Sequence, residues 1–351
     1  LNPFLFQIAH YVVPPIASLI CAPAGYAGIA RIESDNKIST IETVEFTHLF
    51  LGKDATVPEL IAKIKSIEPF RALWLAEGLG QVLGNRAMAR DENSRDLLST
   101  GEGALVPENM QLMVHAGLCL ALARHTYDKL GSNPTADDIR RAAVRIAELA
   151  RQNLLPGYAG IGYEAWGMVT QFFYRPLLST VIKAVEEVDP ARAPFLWHGA
   201  GRACYFIDFM PRWNEPWPAF PLIDRMVVSG LSRHNLLAGL AAGMAIVNMK
   251  TPAILEAIAT ERIASLSSGD RAAFGQGVAC ALIMRQETSP DEQHTLKFVQ
   301  HVPAPEAGQI WEEAVGGPAR LAFHTLHPKL KSERRLDDVC CYRPLSQLLD
   351  G

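Results

Sequence analysis

Met110-Gln-Leu-Met-Val-His115-Ala-Gly117-Leu-Cys-Leu-Ala-Leu-Ala-Arg124 is the stretch that decides the fold. Between Leu112 and Ala123 it reads as a helix that is apolar almost throughout, broken only by His115 and by a glycine notch at Gly117. The same unit recurs along the chain. It appears as Glu77-Gly-Leu-Gly80, Glu164-Ala-Trp-Gly167, His198-Gly-Ala-Gly201, Leu240-Ala-Ala-Gly243 and Gln276-Gly277-Val-Ala, each followed by an apolar helical run. Gly80, Gly117, Gly167, Gly201, Gly243 and Gly277 are 34 to 50 residues apart. That period suits one helical hairpin per unit, as in helical solenoids and closed α/α toroids, so the expected class is all-α. A glycine inside a helix costs about 1 kcal/mol relative to alanine. Its recurrence is explained if the missing side chain lets neighbouring helix backbones approach.

Other segments agree. Ala142 to Ala150 keeps apolar residues on one face, with Thr135 as an N-cap and Asp138 in the first turn. Leu177 to Val185 follows Pro176, and Thr251-Pro252 opens a further helix with proline at its first position. Only Thr40 to Phe50, where Ile41, Val44 and Phe46 partly alternate, reads as strand, giving an expected short strand pair near residues 40–50. Asp91 to Glu108 is a polar loop. Pro211-Arg-Trp-Asn-Glu-Pro-Trp-Pro-Ala-Phe-Pro221 separates the first four units from the last two. The expected organisation is an apolar N-terminal arm over 1–39, a helical repeat domain over 40–302, and a C-terminal extension over 303–351 packed on it.

Composition narrows the function classes. A net charge of −4 and the lack of a long basic run argue against nucleic-acid binding. Cys119, Cys204 and Cys280 lie in apolar helical stretches, as reduced buried thiols do, which fits a cytoplasmic protein. Residues 1–30 carry no Asp, Glu, Lys or Arg, yet Gln7, His10, Pro14, Pro15 and Pro23 interrupt them. They read as a buried or surface-wrapping arm, with membrane contact and membrane association as the second option. Oligomeric state is not read from the sequence.

The residue preceding each notch carries the chemistry. It is Glu77, His115, Glu164 and His198 in the first four units, then Leu240 and Gln276. On helices facing a common interior these side chains converge, as a general acid and base require. Arg202 lies one turn after His198 on the same face, placed to hold an anion or to pair with Glu164. These five are the candidate catalytic residues. Trp74, Trp166, Phe173, Trp197, Tyr205, Phe206 and Gln276 are the candidate substrate-binding set, an aromatic lining suited to an extended apolar ligand. No metal site is expected. His324-Thr-Leu-His327 with Cys340-Cys341 is only a weak zinc candidate.

Several of these segments resemble a known family. Met110 to Arg124 resembles its Met-Val-His-x-Gly-x-x-x-Ala-x-Ala-Arg stretch, and Ile67-Glu68-Pro69 through Glu77-Gly78 its Val-Glu-Pro…Glu-Gly opening. His198-Gly-Ala-Gly-Arg202-Ala-Cys-Tyr-Phe206 resembles its Gly-x-Gly-Arg-x-x-Trp-Phe segment, with Tyr205 in place of the tryptophan. Ala273 to Ala279 and His294-Thr295 resemble its ending. The family is domain-of-unknown-function family 1702, which includes UnbL-type proteins associated with enediyne polyketide biosynthesis. The resemblance spans about residues 40–300, with the motifs in order.

It implies a natural-product biosynthesis protein acting on an unsaturated, apolar intermediate. The expected activity is cyclisation or isomerisation of a bound polyene, polyketide or isoprenoid-like chain by acid–base chemistry, with no resident cofactor. The alternatives are a metal- or haem-dependent oxidoreductase on the same type of substrate, and a non-catalytic carrier or assembly scaffold.

Overall fold

The computed structural model describes residues 3–46, 55–207, 210–213, 215–226, 230–290 and 292–350. The described part is helical, and its only β pairing is an isolated antiparallel bridge between Arg212 and Glu215. In chain order the principal helices are α1 (Pro3–Cys21), α2 (Ala27–Glu45), α3 (Val57–Ser66), α4 (Pro69–Arg90), α5 (Glu108–Tyr127), α6 (Ala136–Asn153) and α7 (Ala159–Phe173). They continue as α8 (Leu178–Val188), α9 (Ala193–Ile207), α10 (Ala219–Asp224), α11 (Gly230–Asn248), α12 (Pro252–Glu261), α13 (Ser268–Thr288) and α14 (Gln293–Val299). Residues 308–332 form one helical run with π-helical turns at Glu312–Gly316 and Ala322–Leu326, and a short final helix, α15, is Leu345–Asp350.

The glycine-notched units are α4, α5, α7, α9, α11 and α13. Each packs on the next, and α13 also packs on α5 and α4. The notches at Gly80, Gly117, Gly167, Gly201 and Gly277 sit where backbones meet, whereas Gly243 faces the Tyr205 side chain. A Cβ at Gly80 would collide with the Val114 carbonyl, and one at Gly117 with the Glu77 carbonyl, so α4 and α5 interlock reciprocally. Gly167 against Leu196 and Gly199 against Glu164 repeat the arrangement between α7 and α9. Even an alanine methyl at these positions would push the helices apart.

The remaining helices surround this layer. α6 buries Ile139, Ala143, Ile146 and Ala150 and exposes Arg140 and Arg141. Its start is fixed as the sequence suggests: the Asp138 N–H donates to Thr135 Oγ1 at 3.2 Å, and the Thr135 N–H donates back to Asp138 at 2.9 Å. Thr251 supplies no side-chain cap to α12, although Pro252 does occupy its first turn.

The expected strand near residues 40–50 is not formed over 40–45, which belong to α2; residues 47–50 lie outside the described part. Ile41 and Val44 are three apart, a helical spacing, and α2 is held by polar contacts rather than by a sheet edge. Asn36 donates to Asn248 at 3.1 Å, and Glu33 accepts from Tyr205 Oη at 2.9 Å and from Trp217 Nε1 at 3.2 Å. Because α2 is continuous through residue 45, the expected boundary at 39/40 falls inside a helix. No helix among the described residues is long and apolar enough to cross a membrane.

Candidate functional site

Four of the five expected catalytic residues meet at one place. Glu77 comes from α4, Glu164 from α7, and His198 and Arg202 from α9; all four are buried. Arg202 stands between the carboxylates, its Nη2 donating to Glu77 Oε1 at 3.2 Å and its Nη1 lying 3.2 Å from Glu164 Oε2. The second contact lacks hydrogen-bond geometry, so Nη1 and Glu164 Oε2 both retain unused hydrogen-bonding capacity. His198 Nδ1 lies 3.4 Å from Glu164 Oε1, and Arg202 Nε donates to Met168 Sδ at 3.0 Å.

The i,i+4 spacing of His198 and Arg202 places both on one face of α9, where the Gly167 and Gly199 notches bring α7 within reach. Burial pushes the Glu77 carboxyl up to about 7, against the pull of Arg202. Burial also disfavours the charged form of His198, but the Cys280 thiol and Glu164 outweigh it and hold the imidazole up at about 9. Cys280 is drawn down by the Cys340 thiol, against burial and together with His198, whereas Cys340 is pushed up. The result is a buried chain of interacting groups: Glu77, Arg202, Glu164, His198, Cys280 and Cys340. Its charges are paired, as buried charges must be.

Glu77 and Arg202 also form part of the wall of a mostly apolar cavity of about 60 Å³. Trp74, Leu120, Val169, Phe172, Phe173 and Phe206 line it, and Thr40, Ile41, Val44 and Glu45 of α2 close it. At roughly 10–15 Å³ per water that volume is room for a few atoms of water size. Glu45 is a carboxylate that the repeat logic missed, because α2 lies outside the repeat. It accepts from Arg124 Nη1 at 3.2 and 3.1 Å, and the Arg124 guanidinium lies 4.6 Å from the Phe173 ring centroid.

The other expected residues divide. Trp74, Phe173 and Phe206 line the cavity. His115 does not join the cluster. It is buried on another side of α5, with Nδ1 2.6 Å from the Gln111 carbonyl, Nε2 accepting from the Leu155 N–H at 3.1 Å, and its ring stacked on Tyr158 at 4.8 Å. Burial lowers it to about 4, so it is a neutral structural imidazole. The reason is register: His115 precedes its notch by two residues, whereas Glu77, Glu164 and His198 precede theirs by three, so its side chain points elsewhere.

Trp166 donates to Tyr127 Oη at 2.6 Å, and Tyr205 is held by Glu33 and Asn248. Trp197 is a half-buried core residue. None of these three lines the cavity. Gln276 instead fastens the C-terminal segment, donating to the carbonyls of Val339 at 2.8 Å and Cys341 at 3.2 Å.

The weak zinc candidate also separates. His327 Nε2 lies 2.9 Å from Glu287 Oε2, while Cys340 lies against Cys280. Among the described residues, no three His, Cys, Asp or Glu side chains are grouped to hold a metal. In the central cluster a guanidinium already fills the space between the two carboxylates. Comparison of the chain with family models, with curated proteins and with solved structures finds no match.

Proposed function

We propose that this protein takes part in natural-product biosynthesis, binding an extended, apolar, unsaturated intermediate of polyene, polyketide or isoprenoid-like type and cyclising or isomerising it by acid–base chemistry. One observation carries the reading: the wall of an apolar cavity presents a buried carboxyl, Glu77, held by a buried guanidinium, Arg202. The family resemblance of the repeat motifs points the same way. In this reading the six notched helices close into an α/α toroid around the cavity. The reacting segment of the ligand occupies the space beneath α2, which moves outward to admit a longer chain.

Glu77, poised near 7, is protonated in a useful fraction at neutral pH. Its proton passes to an unsaturated carbon, whose π electrons form the new C–H bond. The carboxylate left behind is stabilised by Arg202; in an isomerisation it takes a proton from a carbon next to the cation, whose C–H electrons form the shifted double bond, and in a cyclisation the π electrons of a second double bond first close the ring onto the cation before the proton is lost beside the new cationic carbon. Protons and electrons balance, and no cofactor enters. Exclusion of water by the apolar wall keeps the transient charge from being quenched.

The test is deuterium incorporation from D₂O into a conjugated polyene or β-keto polyketide mimic, followed by mass spectrometry. Exchange that survives chelation and falls at least 100-fold in folded Glu77→Gln supports the assignment. Wild-type exchange in that variant overturns it, and tight binding without exchange leaves the carrier reading instead.

A further inference from the structure

Two buried thiols stand at the far end of the charged cluster, and the acid–base reading uses neither. Cys280 lies on α13, and Cys340 ends a 3-10 turn over Leu336–Cys340; both are 0% exposed and free. Gln276 brings them together. It precedes Cys280 by one turn on the same face of α13. Its amide donates to the carbonyls of Val339 at 2.8 Å and Cys341 at 3.2 Å, the residues on either side of Cys340. This clamp presents Cys340 to the face that carries Cys280, and the two thiols are hydrogen-bonded. The Gly160 N–H donates to Asp337 at 2.7 Å and the Tyr342 N–H to Asn235 Oδ1 at 2.7 Å, which fixes the register of the segment.

The surroundings of the pair are charged. His198 stands against Cys280, with Nδ1 3.4 Å from Glu164 and a buried Nε2 that has no hydrogen-bond partner. Cys280 also points its thiol at Met284 Sδ, a weak acceptor at 3.9 Å. The charged and titratable groups facing the two thiols are His198 and Arg202 of α9, Glu164 of α7 and Asp337 of the tail. The six thiols differ accordingly. Burial pushes Cys21 up, Cys119 and Cys204 up to about 12, and Cys341 up to about 11. Cys280 alone is drawn down, to about 6, by the Cys340 thiol and by His198 against its burial, while burial pushes Cys340 up. A thiolate is the form that attacks an oxidant, and a second thiol beside it resolves the sulfenic acid into a disulfide.

We infer that Cys280 and Cys340 form a redox-modification site, at which a hydroperoxide oxidises Cys280 and Cys340 closes the disulfide that staples the C-terminal segment to α13. The Cys280 thiolate attacks the terminal peroxide oxygen and the O–O bond breaks. The alkoxide or hydroxide that leaves takes the proton held by His198, and Cys280 becomes a sulfenic acid. The Cys340 sulfur then forms the S–S bond, and the displaced hydroxyl leaves as water with the Cys340 proton. Two protons and two electrons pass from the thiols to the peroxide. The chain over the pair is a single layer, since Asp338 and Tyr342 of the same segment are half-exposed. Local opening of that segment admits an oxidant of near-water size. The inference stands apart from the acid–base reading, because it concerns the thiols and needs no apolar ligand.

The experiment uses the full chain, reduced, desalted and treated with hydrogen peroxide at about 1 mM. Intact mass should fall by two hydrogen atoms, peptide mapping should place the bond between Cys280 and Cys340, and dithiothreitol should restore the mass. The rate should follow a thiolate with its midpoint near pH 6. Amide exchange over residues 336–345 should slow about tenfold in the oxidised form. Cys280→Ser should abolish the bond. Cys340→Ser, which keeps a donor towards Cys280, should leave a sulfenic acid that dimedone captures.

No mass loss in the wild type, a bond between other cysteines, a rate still climbing above pH 8 as for an ordinary thiol, or unchanged amide exchange in the tail would each overturn the inference. All four are read on the wild-type protein, so a variant that fails to fold does not shelter it. Deuterium incorporation into a polyene without disulfide formation sinks only the thiol pair. Disulfide formation without that incorporation sinks only the catalysis.

Discussion

Replacing Glu77 by Gln should make the protein more stable than wild type at pH 8 and leave it little changed at pH 5. Burial lifts the folded-state carboxyl from 4.5 to about 7. A group whose folded pKa is raised binds more protons folded than unfolded between those two values. Wild-type stability therefore contains a contribution that is complete below about 4.5 and is lost as the pH rises through 7. At about 1.4 kcal/mol per pH unit, the interval corresponds to about 3 kcal/mol, an upper bound because denatured chains retain some structure. Glutamine keeps an acceptor for Arg202 Nη2 and removes the titration, so the advantage of the variant should grow by about 2–3 kcal/mol between pH 5 and pH 8.

The neighbouring groups do not mimic this. The raised His198 favours folding below 6.5 and loses that contribution through about 9, while the lowered Cys280 contributes in the opposite sense over a similar range. Both are common to the two proteins and largely drop out of their difference. The assay is urea unfolding followed by circular dichroism at half-unit pH steps, with m-values checked for constancy. A difference between the two proteins that stays flat from pH 5 to pH 8 would refute the claim that Glu77 is buried with its proton half held at neutrality.

Arg202→Met should destabilise by about 3–5 kcal/mol at pH 8, because it leaves two buried carboxylates facing each other; adding Glu77→Gln should recover part of that in a double-mutant cycle, and strict additivity would argue against the contact. Gly117→Ala should lower the melting temperature sharply or prevent folding, since the added methyl meets the Glu77 carbonyl; a shift below about 2 °C would show that α4 and α5 are not in backbone contact. His115 should titrate near 4 by NMR, so that it favours folding above 6.5 and loses that contribution as pH falls towards 4; a native-state titration near 6.5 would contradict its burial. The six cysteines are all buried, so native protein should react with a thiol-specific chromogen far more slowly than urea-unfolded protein, and rapid labelling of Cys280 at pH 7 would disprove its enclosure.

The class of the fold and the site's main members follow from local pattern. The notches at Gly80, Gly117, Gly167 and Gly201 recur because only a missing side chain allows helices to touch at their backbones, and that requirement is written in the chain. The residue three positions earlier then falls at a fixed angle from the contact, which is why Glu77, Glu164 and His198 are legible as a set, with Arg202 one turn beyond His198. The same rule shows why His115, offset by one residue, is turned away to Gln111 and Leu155.

What sequence alone did not determine involves partners distant along the chain. Glu45 enters the cavity wall because α2 folds across the notched helices, anchored by Asn36 on Asn248 and Glu33 on Tyr205, contacts that no periodicity announces. Cys280 and Cys340 meet beside His198 only because the tail returns to α13. Period and small-residue spacing are properties of one helix and its immediate neighbour. Which charges end up facing one another is decided by the packing of all of them.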